Sequence, residues 1–165
     1  MIQKNNIEFR CAELRYDNAN PESRRVEGYA AVFNSDSEVI GTFVERLLPG
    51  SITAQTIAES DVLALLNHDP QKVLARSRNG QGSLSLRVDE HGLFYSFEAP
   101  MTEAGNELLE QLRRGDLSQS SFCFMIEDTD EAQEWYRGKD GLVHRDIKHI
   151  AALRDISPVY YPAYS

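Results

Sequence analysis

Three serines at positions 118, 120 and 121 lead into an aromatic segment, Gly115-Asp116-Leu117-Ser118-Gln119-Ser120-Ser121-Phe122-Cys123-Phe124. In an extended strand the side chains alternate, so Ser121 and Cys123 share one face while Ser120, Phe122 and Phe124 share the other. One face then carries two nucleophile types, and the other carries rings that can anchor the strand in a core. A serine hydroxyl attacks a carbonyl only with a base in hydrogen-bond reach. Without that base it is an ordinary half-buried polar residue. His68 is a candidate base: the apolar run Val62-Leu63-Ala64-Leu65-Leu66 ends in Asn67-His68-Asp69-Pro70, and Asp69, preceding proline, is held out of the helical region. That places the imidazole where a buried strand emerges into an extended loop. A His and a Ser at the ends of separate strands fit the pattern of a catalytic pair, though their spacing alone is weak evidence, and catalytic triads are recognised by geometry, not by chain order.

Several elements have to position these groups. Ile7 to Tyr16 and Val26 to Phe33 read as strands, with a turn at Asp17-Asn18-Ala19-Asn20-Pro21 between them. Val39 to Leu48 reads as a strand or strand pair closed by Pro49-Gly50, and Ser51 is a credible N-cap for a short helix from Ile52 to about Ser60. Lys72 to Ser77, Ser83 to Val88 and Gly92 to Glu98 read as a three-stranded meander whose first turn carries the Asn79-Gly80 hairpin signal. Thr102 to Arg114 is the clearest helix: Thr102 as cap, Glu103 at its positive end, Arg113 and Arg114 at its negative end, Gly115 just past it, and Leu108, Leu109 and Leu112 as its apolar stripe. Leu117 to Glu127 returns as the serine-bearing strand. An exposed hairpin carrying Trp135 and Tyr136 follows, then a strand or pair from Arg145 to Ser157 with Ile147, Ile150, Leu153 and Ile156 as apolar positions. Arg145 and Arg154 read as exposed charges, with the orienting of a water or loop amide for the tetrahedral intermediate as the alternative.

Length and composition bound the rest. The 165 residues form a single domain, with 41% hydrophobic and 26% charged residues as in soluble globular proteins. The net charge of -9 argues against nucleic acid or an acidic membrane as partner, since either demands an excess of Lys and Arg on some surface. Cys11 and Cys123 are far apart and lack metal-ligand spacing, which fits a reducing compartment. The start, Met1-Ile2-Gln3-Lys4-Asn5-Asn6, lacks the apolar core of a signal peptide, and no apolar run approaches the roughly 20 residues of a membrane span. No cofactor or metal is expected, and the reading is a cytoplasmic, soluble protein.

Four stretches in order carry a resemblance: Glu45-Arg46-Leu47-Leu48-Pro49-Gly50-Ser51; Ala64-Leu65-Leu66-Asn67-His68-Asp69-Pro70 with Val73-Leu74-Ala75-Arg76; Gly115-Asp116-Leu117 through Ser121-Phe122-Cys123-Phe124; and Leu153-Arg154-Asp155-Ile156-Ser157-Pro158-Val159 with Pro162-Ala163-Tyr164. Together they resemble the prohead proteases of tailed bacteriophages of the HK97 type. The resemblance implies an α+β fold, mainly an antiparallel β-barrel with flanking helices, related to the herpesvirus assemblins. It implies a serine endopeptidase inside the phage prohead in the host cytoplasm, which removes the scaffold segment of the major capsid protein and then cleaves itself. Ser121 would be the nucleophile and His68 its base. Asp155 stands where the family usually has an acidic residue and would orient the imidazole. Assemblins use a second histidine there, so His149 is the alternative; Asp69, adjacent to His68, points elsewhere. Contact with the portal and a homo-oligomer follow by analogy only.

Two features depart from the family pattern. Cys123 stands where glycine is common, read as a core-filling residue with a thiol nucleophile as the competing reading. The chain also stops where relatives continue in a charged tail, so either it is a shortened form or self-cleavage removes the tail. The competing class of function is a non-catalytic capsid-assembly or scaffold-binding module with the same fold.

Overall fold

The computed structural model describes residues 6–16 and 20–161. All but Asn6 of the N-terminal segment read for a signal peptide, most of the turn at Asp17-Asn18-Ala19-Asn20-Pro21, and the closing Pro162-Ala163-Tyr164 motif lie outside the described residues. In chain order the elements are β1 (Asn6–Tyr16), β2 (Arg25–Val32), β3 (Phe43–Leu47), α1 (Ala54–Ala58), β4 (Asp61–Leu65), β5 (Val73–Arg78), β6 (Gln81–Gly82), β7 (Ser85–Val88), β8 (Gly92–Glu98), α2 (Glu103–Arg114), β9 (Gln119–Ile126), β10 (Gln133–Arg137), β11 (Val143–Ile147) and β12 (Ala152–Val159). The fold is α+β and strand-rich.

Nine strands form one sheet in the order β6-β5-β4-β12-β9-β1-β2-β8-β7, and three form another, β10-β11-β3. The large sheet is not closed into a barrel: β6 and β7 end the strand order and no ladder joins them. Yet Gly82 ends β6 and Ser85 begins β7, and three Cα steps span at most about 11 Å. The sheet therefore curls until its two ends nearly meet, but it stays open there. The expected meander fails at the same point. β5 pairs with β6 and β7 with β8, while Leu84 still donates to the Arg76 carbonyl at 3.1 Å as the chain crosses over. A Cβ on Gly82 would lie 2.2 Å from that carbonyl oxygen, so glycine alone permits the crossing.

The helices follow their local chemistry. α2 has the Thr102 hydroxyl accepting from the Gly105 amide and Gly115 in the left-handed conformation at its end, φ 79°. Leu108 and Leu112 are buried beneath it, with Leu109 packed at their margin. α1 starts later than expected. Its cap is Thr53, not Ser51, because Thr53 and Thr56 exchange side-chain and backbone hydrogen bonds as a reciprocal box. Ser51 instead sits fully buried in the turn after Pro49-Gly50 and accepts the Ile150 amide at 2.9 Å. The core gathers Val26, Leu93, Tyr95, Leu108, Phe122, Phe124 and Ile156, each at most 1% exposed.

An ion cluster fastens the two sheets together. Arg145 in β11 bonds both Glu8 of β1, at 2.5 and 2.8 Å, and Glu45 of β3, at 2.9 Å, while its Nε reaches Gln133 at 2.8 Å. Arg10 of β1 bonds Glu45 and Glu8 from the other side. Arg145 is only 3% exposed, so its reading as a surface charge is wrong. Two acids from separate strands meet it there, and a buried guanidinium persists only when so matched. The hairpin of β10 and β11 does present half-exposed Trp135 and Tyr136.

Candidate active site

β9 is built by alternation. Phe122 and Phe124 stack at 4.8 Å in the core, leaving Ser121 and Cys123 on the opposite face. That face is also buried: Ser121 is 0% and Cys123 5% exposed. The neighbour is β12, antiparallel, and directly opposed residues on such strands share a face. Ser157 stands opposite Ser121, and Asp155 opposite Cys123.

A one-residue irregularity makes this possible. Leu153 pairs with Phe124, yet Asp155 pairs with Cys123, so Arg154 is an extra residue bulged out between them and exposed. Without the bulge Asp155 would oppose Phe122 and join the apolar face. With it, Leu153 and Ile156 remain in the core while Asp155 and Ser157 turn to the serine side. The diagonal from Ser121 to Asp155 across the strand pair is then about 7–8 Å between Cα atoms.

His68 arrives from the other flank. β4 lies parallel beside β12, Asp155 matched to Leu63, and then breaks into a single turn over Leu66–His68. Asn67 and His68 both adopt the left-handed region, φ 53° and 60°. Two consecutive non-glycine residues there are uncommon, and such strain is held where the surroundings over-determine it. The turn is braced by the Asp69 amide donating to the Leu66 carbonyl at 3.1 Å, and by the Asp69 carboxylate accepting from the Gln71 amide at 2.9 Å. Asp69 is thus committed to the loop. The imidazole Nδ1 meets Asp155 Oδ2 at 3.0 Å, with the side chains of His68 and Asp155 29% and 16% exposed. A ring that donates its Nδ1 proton to a carboxylate carries its basic lone pair on Nε2.

The second carboxylate oxygen is also engaged: the Ser157 hydroxyl donates to Asp155 Oδ1. The Ser121 hydroxyl oxygen is buried and has no hydrogen-bond partner among the described residues. Cys123 is a free thiol, pushed up to about 11 by burial and by the adjacent Asp155 charge. It stays protonated near neutral pH, which removes the nucleophilic form. His149 lies elsewhere, exposed, its backbone amide on the Ala132 carbonyl at 3.0 Å. Hydrogen bonds join His68, Asp155 and Ser157, and the strand register sets Ser121 opposite Ser157 with its hydroxyl not bonded to His68; His149, exposed between β11 and β12, is not among the bonded groups. Ser157 was missed in the sequence although it is two residues from Asp155, a same-face spacing within a strand.

An imidazole oriented by a carboxylate, on the face that carries a serine of the next strand, can support nucleophilic acyl transfer. Among the described residues no group of three or more His, Cys, Asp or Glu is arranged to hold a metal ion, and no helix is long and apolar enough to cross a membrane. Searches of curated proteins and of solved structures returned no match. The family model of the caudovirus prohead serine protease, by contrast, matches residues 10–165, and over that span the chain belongs to this family.

Proposed function

We propose that the chain acts as one protease domain, a serine endopeptidase that cuts the scaffold segment of the major capsid protein inside the prohead and afterwards cleaves itself. Ser121 attacks the scissile carbonyl carbon as His68 Nε2 takes the hydroxyl proton. Asp155 keeps the ring oriented and stabilises the imidazolium, and the proton then passes to the leaving amine. Water, deprotonated by the same nitrogen, hydrolyses the acyl-enzyme. The observation that carries this reading is the His68 Nδ1 to Asp155 Oδ2 contact on the sheet face that bears Ser121. The Ser121 hydroxyl is sealed from solvent, so it has to become accessible before a substrate carbonyl reaches it. Family membership supports the reaction class.

That same burial favours the competing reading, a non-catalytic capsid-assembly module. Co-expression of the capsid precursor with the wild-type chain or with Ser121→Ala, followed by mass spectrometry of the capsid protein, separates the two. The proposal expects scaffold removal by the wild type and none by the variant. It also expects the variant to melt no lower than the wild type, since a buried hydroxyl without a partner contributes nothing favourable to stability. Full processing in the presence of Ser121→Ala would overturn the assignment.

A further inference from the structure

We infer that Ser157 is a positioning residue for the reaction, acting through Asp155; the inference rests on the proposed function above. Ser157 is 0% exposed, stands directly opposite Ser121 across the strand pair, and donates its hydroxyl proton to Asp155 Oδ1 while His68 occupies Oδ2. The two donors hold the carboxylate between them. An aspartate has a broad, roughly two-fold final torsion, so one donor alone does not fix the plane of its oxygens. The second donor does, and the plane in turn sets the direction of the His68 ring.

The geometry also argues against a purely structural role. Small apolar residues would fill the same space on β12, whereas a hydroxyl at a fully buried strand position is retained at the cost of desolvating it. Its partner is a carboxylate on its own strand, so the bond ties no separate element into the fold. It orients a side chain instead. The bulge at Arg154 serves the same end, because it turns Asp155 and Ser157 together onto the serine face.

The test is a double-mutant cycle measured on a peptide spanning a capsid cleavage site, using the full chain. Ser157→Ala is expected to lower kcat about tenfold to hundredfold with KM unchanged, the scale of one lost hydrogen bond to a charged group. Ser157→Thr, which keeps the hydroxyl, should recover most of that loss. In an Asp155→Ala background the same Ser157→Ala change should cost less than about twofold, because its effect passes through the carboxylate. Should Ser157→Ala melt so early that kinetics are not measurable, the Nδ1-bound proton of His68 is followed by NMR in Ser121→Ala protein carrying Ser157→Thr. A retained, exchange-protected resonance supports the inference and its loss overturns it. A kcat within twofold of wild type for Ser157→Ala, or an equal loss with and without Asp155, overturns it as well. Wild-type cleavage by Ser121→Ala would strike the proposed function itself and this inference with it, whereas an inactive Ser121→Ala beside a fully active Ser157→Ala strikes only the role of Ser157.

Discussion

Replacing Arg145 with methionine removes one of two cations from a cluster that also holds two carboxylates, Glu8 and Glu45. The side chains of Arg145, Glu45 and Glu8 are 4%, 1% and 16% exposed, so water does little to screen what is left. Removing one partner from a buried ion pair costs about 3–5 kcal/mol, chiefly through the charge left uncompensated. That is a large part of the roughly 5–15 kcal/mol that holds a domain folded. The pH dependence follows from Glu8. Burial alone would raise its carboxyl, but the hydrogen bonds and charges of Arg145 and Arg10 outweigh burial and hold it below the ordinary glutamate value of 4.5. A depressed folded-state value stabilises the protein above about pH 4.5, and that stabilisation is lost as pH falls through the folded value. The wild type therefore loses on acidification what the variant already lacks, and the gap between them narrows. Urea unfolding followed by far-ultraviolet circular dichroism, both proteins carrying Ser121→Ala to prevent self-cleavage, reads this directly. With a slope of about 2 kcal/mol per molar urea, the midpoint of the variant falls by about 2 M at pH 7 and by clearly less at pH 4. A shift below about 0.5 M, or a gap that is the same at both pH values, would refute the view that this cluster clamps the sheets.

Two further outcomes follow from single positions. Cys123, a thiol raised to about 11, should resist iodoacetamide at pH 7 in the folded protein, and Cys123→Ala should retain scaffold cleavage within a few-fold; peptide mapping and the co-expression assay check the two halves. Gly115→Ala places a Cβ in the left-handed conformation that ends α2, with open space around it, so the cost is conformational alone, about 1–2 kcal/mol. For a chain of this size that lowers the melting temperature by roughly 3–6 °C by calorimetry.

What could be read in the sequence was local. α2 was visible with both its caps because Thr102, the terminal charges and Gly115 act within one turn of the helix ends. The Asn79-Gly80 turn was visible because both residues adopt positive φ there, 53° and 77°. Alternation in β9 separated Ser121 and Cys123 from Phe122 and Phe124, and proline after Asp69 marked where His68 leaves its strand. Asp155 was reached by resemblance alone.

What escaped depended on partners distant in the chain. The bulge at Arg154 exists only relative to β9, so the three-residue spacing of Ile147, Ile150, Leu153 and Ile156 offered no clean strand period; the break between β11 and β12 and the extra residue account for it. Arg145 read as surface because arginine usually is, whereas the parallel pairing of β11 with β3 sets it beside Glu45 and the packing of the two sheets brings Glu8 of β1 to it. The meander failed because a two-residue strand, Gln81–Gly82, exhausts its pairing before the chain crosses to the far end of the sheet.

The claim at the centre is that the alcohol of residue 121 is made nucleophilic by the imidazole of residue 68. A fluorophosphonate added to a preparation that cleaves capsid precursor tests it by peptide-level mass spectrometry. One adduct on Ser121, absent when His68 is replaced by alanine, is the predicted result. An adduct on Cys123 or on another residue, or undiminished labelling of Ser121 without the imidazole, would contradict it.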